Sequence, residues 1–92
     1  MSISEEKLQL AVRALRELGA KRILLFGSFV ESPEGARDID LAVEGIPLNR
    51  LLDADVAICD ILQAPLDLVS REEAPDFFEI IKDYGKLLYE ER

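Results

Sequence analysis

The sequence predicts one small domain of the α/β (α+β) class, with helices packed on a mixed β-sheet of three to four strands. Three observations predict it. Apolar residues recur at helical spacing in three segments, two short runs alternate with Asp38 and Asp40 or Asp67 set between larger apolar residues, and glycines or prolines fall between these segments. The length of 92 residues suits a single domain, residues 1–92, with a modest core. A hydrophobic content of 49% is too apolar for a disordered chain.

The first helix is expected over residues 4 to 18. Ser4 can cap it, and Glu5 and Glu6 favour its first turn. Leu8, Ala11, Val12, Leu15 and Leu18 form its apolar stripe, and Gly19 is placed to end it. Ile23 to Phe26 is a short apolar run, read as a buried strand. Gly27-Ser28 follows, and residues 29–37 read as a loop, with room for a short helical turn. Asp38 to Val43 alternates: Ile39, Leu41 and Val43 point one way, Asp38, Asp40 and Ala42 the other, so this strand is half-buried with a polar face.

Gly45 closes that strand, and Pro47 suits the first turn of a second helix running to about Gln63. Its expected buried residues are Leu48, Leu51, Leu52, Val56, Cys59 and Leu62, whereas Asp53, Asp55 and Asp60 are assigned to a solvated side. Pro65 to Ser70 alternates again, with Leu66 and Leu68 opposite Asp67 and Val69. A last helix covers about Ala74 to Tyr84, with Phe77, Phe78, Ile80 and Ile81 apolar. Adjacent Phe77 and Phe78 cannot share one core contact, so one of them is expected at the surface. Gly85 ends this helix, and Lys86 to Tyr89 suit an edge strand before a frayed C-terminal Tyr89-Glu90-Glu91-Arg92. Tyr84 and Tyr89 are read as packing residues. The order condenses to α-β-α-β-α-β, without repeats or linkers.

Composition narrows the function. Eleven basic residues oppose nineteen acidic ones, a formal net charge of −8. Nucleic-acid binding depends on neutralising phosphates with Lys and Arg, and no basic stripe exists, which argues against a stable complex with DNA or RNA. The charge favours divalent cations or a basic protein partner. One cysteine, Cys59, and no histidine exclude an internal disulfide, zinc-ligand spacing and serine–histidine or cysteine–histidine catalysis within the chain. The N-terminus is polar and acidic, unlike a signal peptide, and no apolar run approaches the roughly 18 residues of a membrane span. A cytoplasmic protein is the expectation.

The chemistry-bearing residues lie around the two alternating runs. Side chains at i and i+2 on a strand share a face, so Asp38 and Asp40 project side by side. Neighbouring carboxylates repel unless a cation intervenes, and magnesium commonly takes one or two carboxylates plus substrate phosphates. Asp67, mid-strand between apolar neighbours, is the candidate third acid. Such a triad suits two-metal nucleotidyl transfer, in which the metals stabilise the attacking and leaving oxygens and Asp67 can also act as general base. Gly27 permits close backbone approach to a phosphate, and Ser28 offers an N–H and a hydroxyl. Each residue also has a plainer reading. Asp-X-Asp suits a solvated strand face, Gly27 a turn, Ser28 a helix cap, and Cys59 a small buried apolar position.

Phe26-Gly27-Ser28, nine residues, then Asp38-Ile39-Asp40-Leu41 resembles the signature of the polymerase-beta-type nucleotidyltransferase superfamily. Pro65-Leu66-Asp67-Leu68-Val69 resembles the strand that carries its third carboxylate. The short length resembles the minimal nucleotidyltransferase (MNT) branch, from roughly Ile23 to the C-terminus. The resemblance implies the nucleotidyltransferase fold, with Gly27 and Ser28 holding the triphosphate and Asp38, Asp40 and Asp67 holding Mg2+. It implies ATP as substrate. It also implies a small helical HEPN ribonuclease toxin as partner, with the chain as antitoxin transferring AMP to a tyrosine of that toxin. The loop departs from the family pattern. An Arg-Gly pair after Gly-Ser and a Ser before the first Asp are replaced in Phe29-Val30-Glu31-Ser32-Pro33-Glu34-Gly35-Ala36-Arg37, where Arg37 is the remaining candidate for a phosphate contact.

Two further function classes compete with the enzyme. One is a binding module of the same fold that neutralises its partner by contact alone, its acidic surface covering a basic face. The other is a fragment of a metal-dependent glycosyltransferase, which also uses Asp-X-Asp; the short chain argues against it.

Overall fold

Ser4 caps the first helix, its Oγ accepting the Lys7 N–H at 3.2 Å. The computed structural model describes residues 4–27 and 38–91. Helix α1 (Glu5–Glu17) buries Leu8, Ala11 and Leu15 and gives way at Gly19, whose φ of +115° suits glycine at a helix end. Strand β1 (Arg22–Phe26) and strand β2 (Ile39–Glu44) then pair antiparallel. Helix α2 (Leu48–Leu62) follows, and strand β3 (Leu66–Ser70) pairs parallel to β2. Helix α3 (Pro75–Tyr84) leads into strand β4 (Lys86–Glu90), which pairs antiparallel to β1. The sheet order is β3-β2-β1-β4, four mixed strands. The described elements run α-β-β-α-β-α-β, carrying one strand more than the condensed alternation expected.

Both faces of the sheet are covered. Ile23, Leu25, Ile39, Leu41 and Val43 pack with α1 and α2, joined by Leu66 and Leu68 at its edge. On the other face Leu24 and Ala42 pack under Phe78 and Ile81 of α3, with Phe26 and Val69 beside them. The polar face expected for β2 is therefore confined to its first residues, because Ala42 is fully buried beneath α3. At the far end Glu72 ties β2 to β3. Its carboxylate accepts the Gly45 N–H at 3.2 Å and the buried Ser70 hydroxyl at 3.1 Å.

Helix α2 corrects the expected core. Leu48, Leu52 and Val56 are exposed, Leu52 at 73%, while Ala54, Ile58 and Leu62 are fully buried. The apolar residues of α2 fall on two stripes, and the one running through Ala54, Ile58 and Leu62 faces the sheet and α1. Pro47 precedes the helix rather than opening its first turn. Asp53 and Asp60 are solvent-exposed as expected, but Asp55 is half-buried. Its carboxylate accepts the Cys59 thiol at 3.5 Å, and burial, then this bond, push the thiol pKa up.

On α3, Phe78 is buried and Phe77 is the exposed neighbour, with Ile80 also outward. Tyr84, expected to pack, is 79% exposed. Tyr89 does pack, partly buried beneath the Arg16 guanidinium at 4.2 Å. The C-terminal segment is not frayed through Glu91. Glu90 lies in β4 and pairs with Arg22 at 3.2 Å, and the Glu91 N–H donates to the Lys21 carbonyl at 2.8 Å.

Candidate active site

Strand β1 ends at Phe26 because the backbone turns through Gly27, whose φ is +77°. That left-handed conformation favours glycine. A second constraint acts on the same residue. A Cβ at position 27 would overlap the Oδ2 atom of Asp40 and stand 2.9 Å from its Cγ. The space of the missing side chain is thus taken by a carboxylate, and Gly27 and Asp40 are in direct apposition.

The register explains how they meet. Phe26 pairs with Asp40 across β1 and β2, and Asp40 pairs with Asp67 across β2 and β3. Directly paired residues share a sheet face, so Phe26, Asp40 and Asp67 form one row over three strands. Asp38 precedes β2 by one residue and falls on the same side as Asp40. The row lies on the face that α3 covers two residues further along, so α3 forms one boundary of the site.

Asp40 is half-buried, whereas Asp38 and Asp67 are exposed. Burial raises the Asp40 pKa above the ordinary carboxylate value, and the charges of Asp67 and then Asp38 raise it further. The structure thus brings Asp67 and Asp38 each within electrostatic reach of Asp40. Ion pairs among the described residues involve Arg22 and Lys82 instead.

Among the described residues no three carboxylate, cysteine or histidine side chains form a preformed metal cluster. Magnesium does not require one, since it retains waters and binds through one or two carboxylates together with substrate phosphates. The donors present are hard oxygens, and Asp40, its pKa raised first by burial and then by the charges of Asp67 and Asp38, is a carboxylate that a divalent cation would stabilise in its ionised form. The residues fit the ion on that ground.

Ser28 and Arg37, the expected phosphate contacts, lie outside the described residues together with 29–36. The sequence reading missed two features. The Gly27–Asp40 apposition depends on pairing register, which local sequence does not show. Phe77 stands next to the row, its ring edge-to-face with Phe26 at 5.8 Å between centroids; the double phenylalanine was its signal.

No protein-family model matches the chain. No curated protein sequence matches it either. Solved structures do. A chain of a toxin–antitoxin crystal structure with AMP-PNP is 23% identical with a TM-score of 0.76, covering 98% of this chain and 76% of its own. A chain of the MntA-HepT toxin–antitoxin structure is 20% identical with a TM-score of 0.72, covering 95% and 73% respectively. A third belongs to a tri-AMPylated Shewanella oneidensis HEPN toxin in complex with its MNT antitoxin, at 22% identity and a TM-score of 0.73, covering 94% and 71%. The four-stranded mixed sheet, its helices and these superpositions together show that the chain has the nucleotidyltransferase fold found in MNT antitoxin complexes.

Proposed function

We propose that this chain is a magnesium-dependent nucleotidyltransferase that moves AMP from ATP to a hydroxyl group of a protein partner, acting as the antitoxin of a helical HEPN-type toxin. The observation that carries this reading is the row in which Asp40 seats against Gly27 with Asp67 and Asp38 close by. Two neighbours of the same fold support its chemical direction. One was solved with AMP-PNP, and another lies in a complex whose toxin carries AMP.

In the proposed reaction an acceptor hydroxyl oxygen forms a bond to the α-phosphorus of ATP. The bond from that phosphorus to the bridging oxygen breaks, and pyrophosphate leaves with the electron pair. Asp67 takes the hydroxyl proton. Gly27 lets the backbone approach the triphosphate, with Ser28 and Arg37 as further phosphate contacts. Asp38 and Asp40 would hold magnesium, with Asp67 sharing a second ion, and the metal would supply charge stabilisation at the transferred phosphoryl group. A formal net charge of −8 suits a protein acceptor better than a polyanionic nucleic acid.

The test is incubation of the purified protein and its partner with ATP labelled in the α-phosphate and with magnesium. Label is expected on the partner, and none when Asp38→Ala and Asp40→Ala are combined. Absence of label with the wild-type chain would overturn the catalytic reading. The second reading, neutralisation by binding alone, draws on the sequence after Ser28, where Glu31 and Glu34 stand and the Arg-Gly pair of the family pattern is replaced. It predicts that the double variant still protects cells from the toxin.

A further inference from the structure

We propose that Phe77 is the base-stacking wall of the candidate nucleotide site, so that the site takes a purine nucleoside triphosphate rather than a bare polyphosphate. The inference rests on the functional reading above and adds the contact for the nucleoside end.

Phe77 is 44% exposed on α3, directly beside fully buried Phe78. Phe78 and Ile81 already fill the layer between α3 and the sheet, so core packing does not account for a second large aromatic there. The Phe77 ring is held edge-to-face on Phe26, 5.8 Å between centroids with the planes at 86°. Such an arrangement restricts the ring's orientation without burying it. Phe26 in turn immediately precedes Gly27 and pairs with Asp40. The exposed ring is therefore one contact away from the residue proposed to seat the triphosphate and from the carboxylate opposite it.

A triphosphate lying against Gly27 and Asp40 leaves its ribose and base outside the carboxylates. Among the described residues the Phe26–Phe77 pair borders that seat on the β1 side, with Ile80 exposed one turn further along α3. An apolar π-face next to a phosphate seat matches the two ends of a nucleotide, one anionic and one flat and aromatic. Stacking of this kind tolerates any base but strengthens with ring area, which favours purines over pyrimidines and leaves adenine and guanine undivided.

The test compares two probes, ATP and inorganic tripolyphosphate, each titrated calorimetrically with magnesium into the wild-type chain, Phe77→Leu and Phe77→Trp. Leucine keeps an apolar cover over Phe26 while removing the aromatic face. The expected result is a loss of roughly 5- to 100-fold in ATP affinity for Phe77→Leu, with tripolyphosphate binding unchanged. Phe77→Trp is expected to retain ATP affinity and to show indole fluorescence quenched by ATP but not by tripolyphosphate. Equal ATP affinity in the wild type and Phe77→Leu would overturn the stacking role while leaving the nucleotide site intact. Failure of both probes to bind the wild type would overturn the underlying functional reading and this inference with it.

Discussion

The carboxylate of Asp40 occupies the space that a side chain at Gly27 would need, with the Asp40 Cγ 2.9 Å from where that Cβ would stand. Two requirements converge on position 27, a positive φ and an absent Cβ. Gly27→Ala meets neither. It is expected to cost about 1–3 kcal/mol through backbone strain, lowering Tm by about 4–8 °C for each kcal/mol in a domain of this size. It should also weaken ATP binding, because Asp40 must swing away. Thermal melts and calorimetry on the variant check both effects; an unchanged Tm would contradict the apposition.

Asp40 gives a pH dependence of defined sign. Its pKa in the folded chain is raised above the ordinary 3.8 by burial and by Asp67 and Asp38. The folded state therefore holds this proton more tightly than the unfolded chain does. Stability from this group is complete below 3.8 and is lost as pH rises through the raised folded value. Asp40→Asn should accordingly melt higher than the wild type at neutral pH, with the advantage vanishing well below 3.8. Magnesium should raise the wild-type Tm at neutral pH more than that of the variant. Melting curves across pH, with and without the ion, decide the matter.

The two faces of α2 and α3 predict contrasting costs. Phe78 is fully buried between α3 and the sheet, and its truncation to alanine is expected to cost about 3–5 kcal/mol. Leu52 is 73% exposed, and Leu52→Ser should change stability by about 0.5 kcal/mol or less. Urea denaturation of both variants tests the assignment. A large loss at Leu52 would restore the core arrangement expected from sequence.

Ser4 accepts the Lys7 N–H and closes the start of α1. Ser4→Ala should remove about 1 kcal/mol, with faster hydrogen exchange in the first turn of α1 and little change at Asp40. Exchange rates resolved along the chain would show whether the effect stays local.

The fold was legible where a period decides the structure. Asp38, Asp40 and Asp67 stood out because alternation places acids opposite Ile39, Leu41, Leu66 and Leu68, and the sheet keeps that division. Edge strand β4 was readable from the apolar run after Gly85. Helix α2 was not, because leucine at 48 and 52 and valine at 56 carry the same apolar signal as the buried stripe one step around the helix. Which stripe faces inward depends on the position of α1 and the sheet, a tertiary fact. The same holds for the exposure of Tyr84 and the covering of Ala42 by Phe78. The candidate site was half legible: the placement of its acids along one face showed in the sequence, whereas the seating of Asp40 on Gly27 and the placement of Phe77 arise from strand register and helix docking.

Strand β4 pairs with the outer side of β1 across most of the chain's length, Arg22 opposite Glu90 and Leu25 opposite Lys86. During synthesis β1 can acquire β2 early, but its other edge stays open until residues 86–90 have left the ribosome. An unpaired strand edge recruits other chains. The turn that ends β1 is thus set on a strand whose final partner arrives late, and nascent chains stalled before that point would present a sticky border beside an unfinished Gly27 turn.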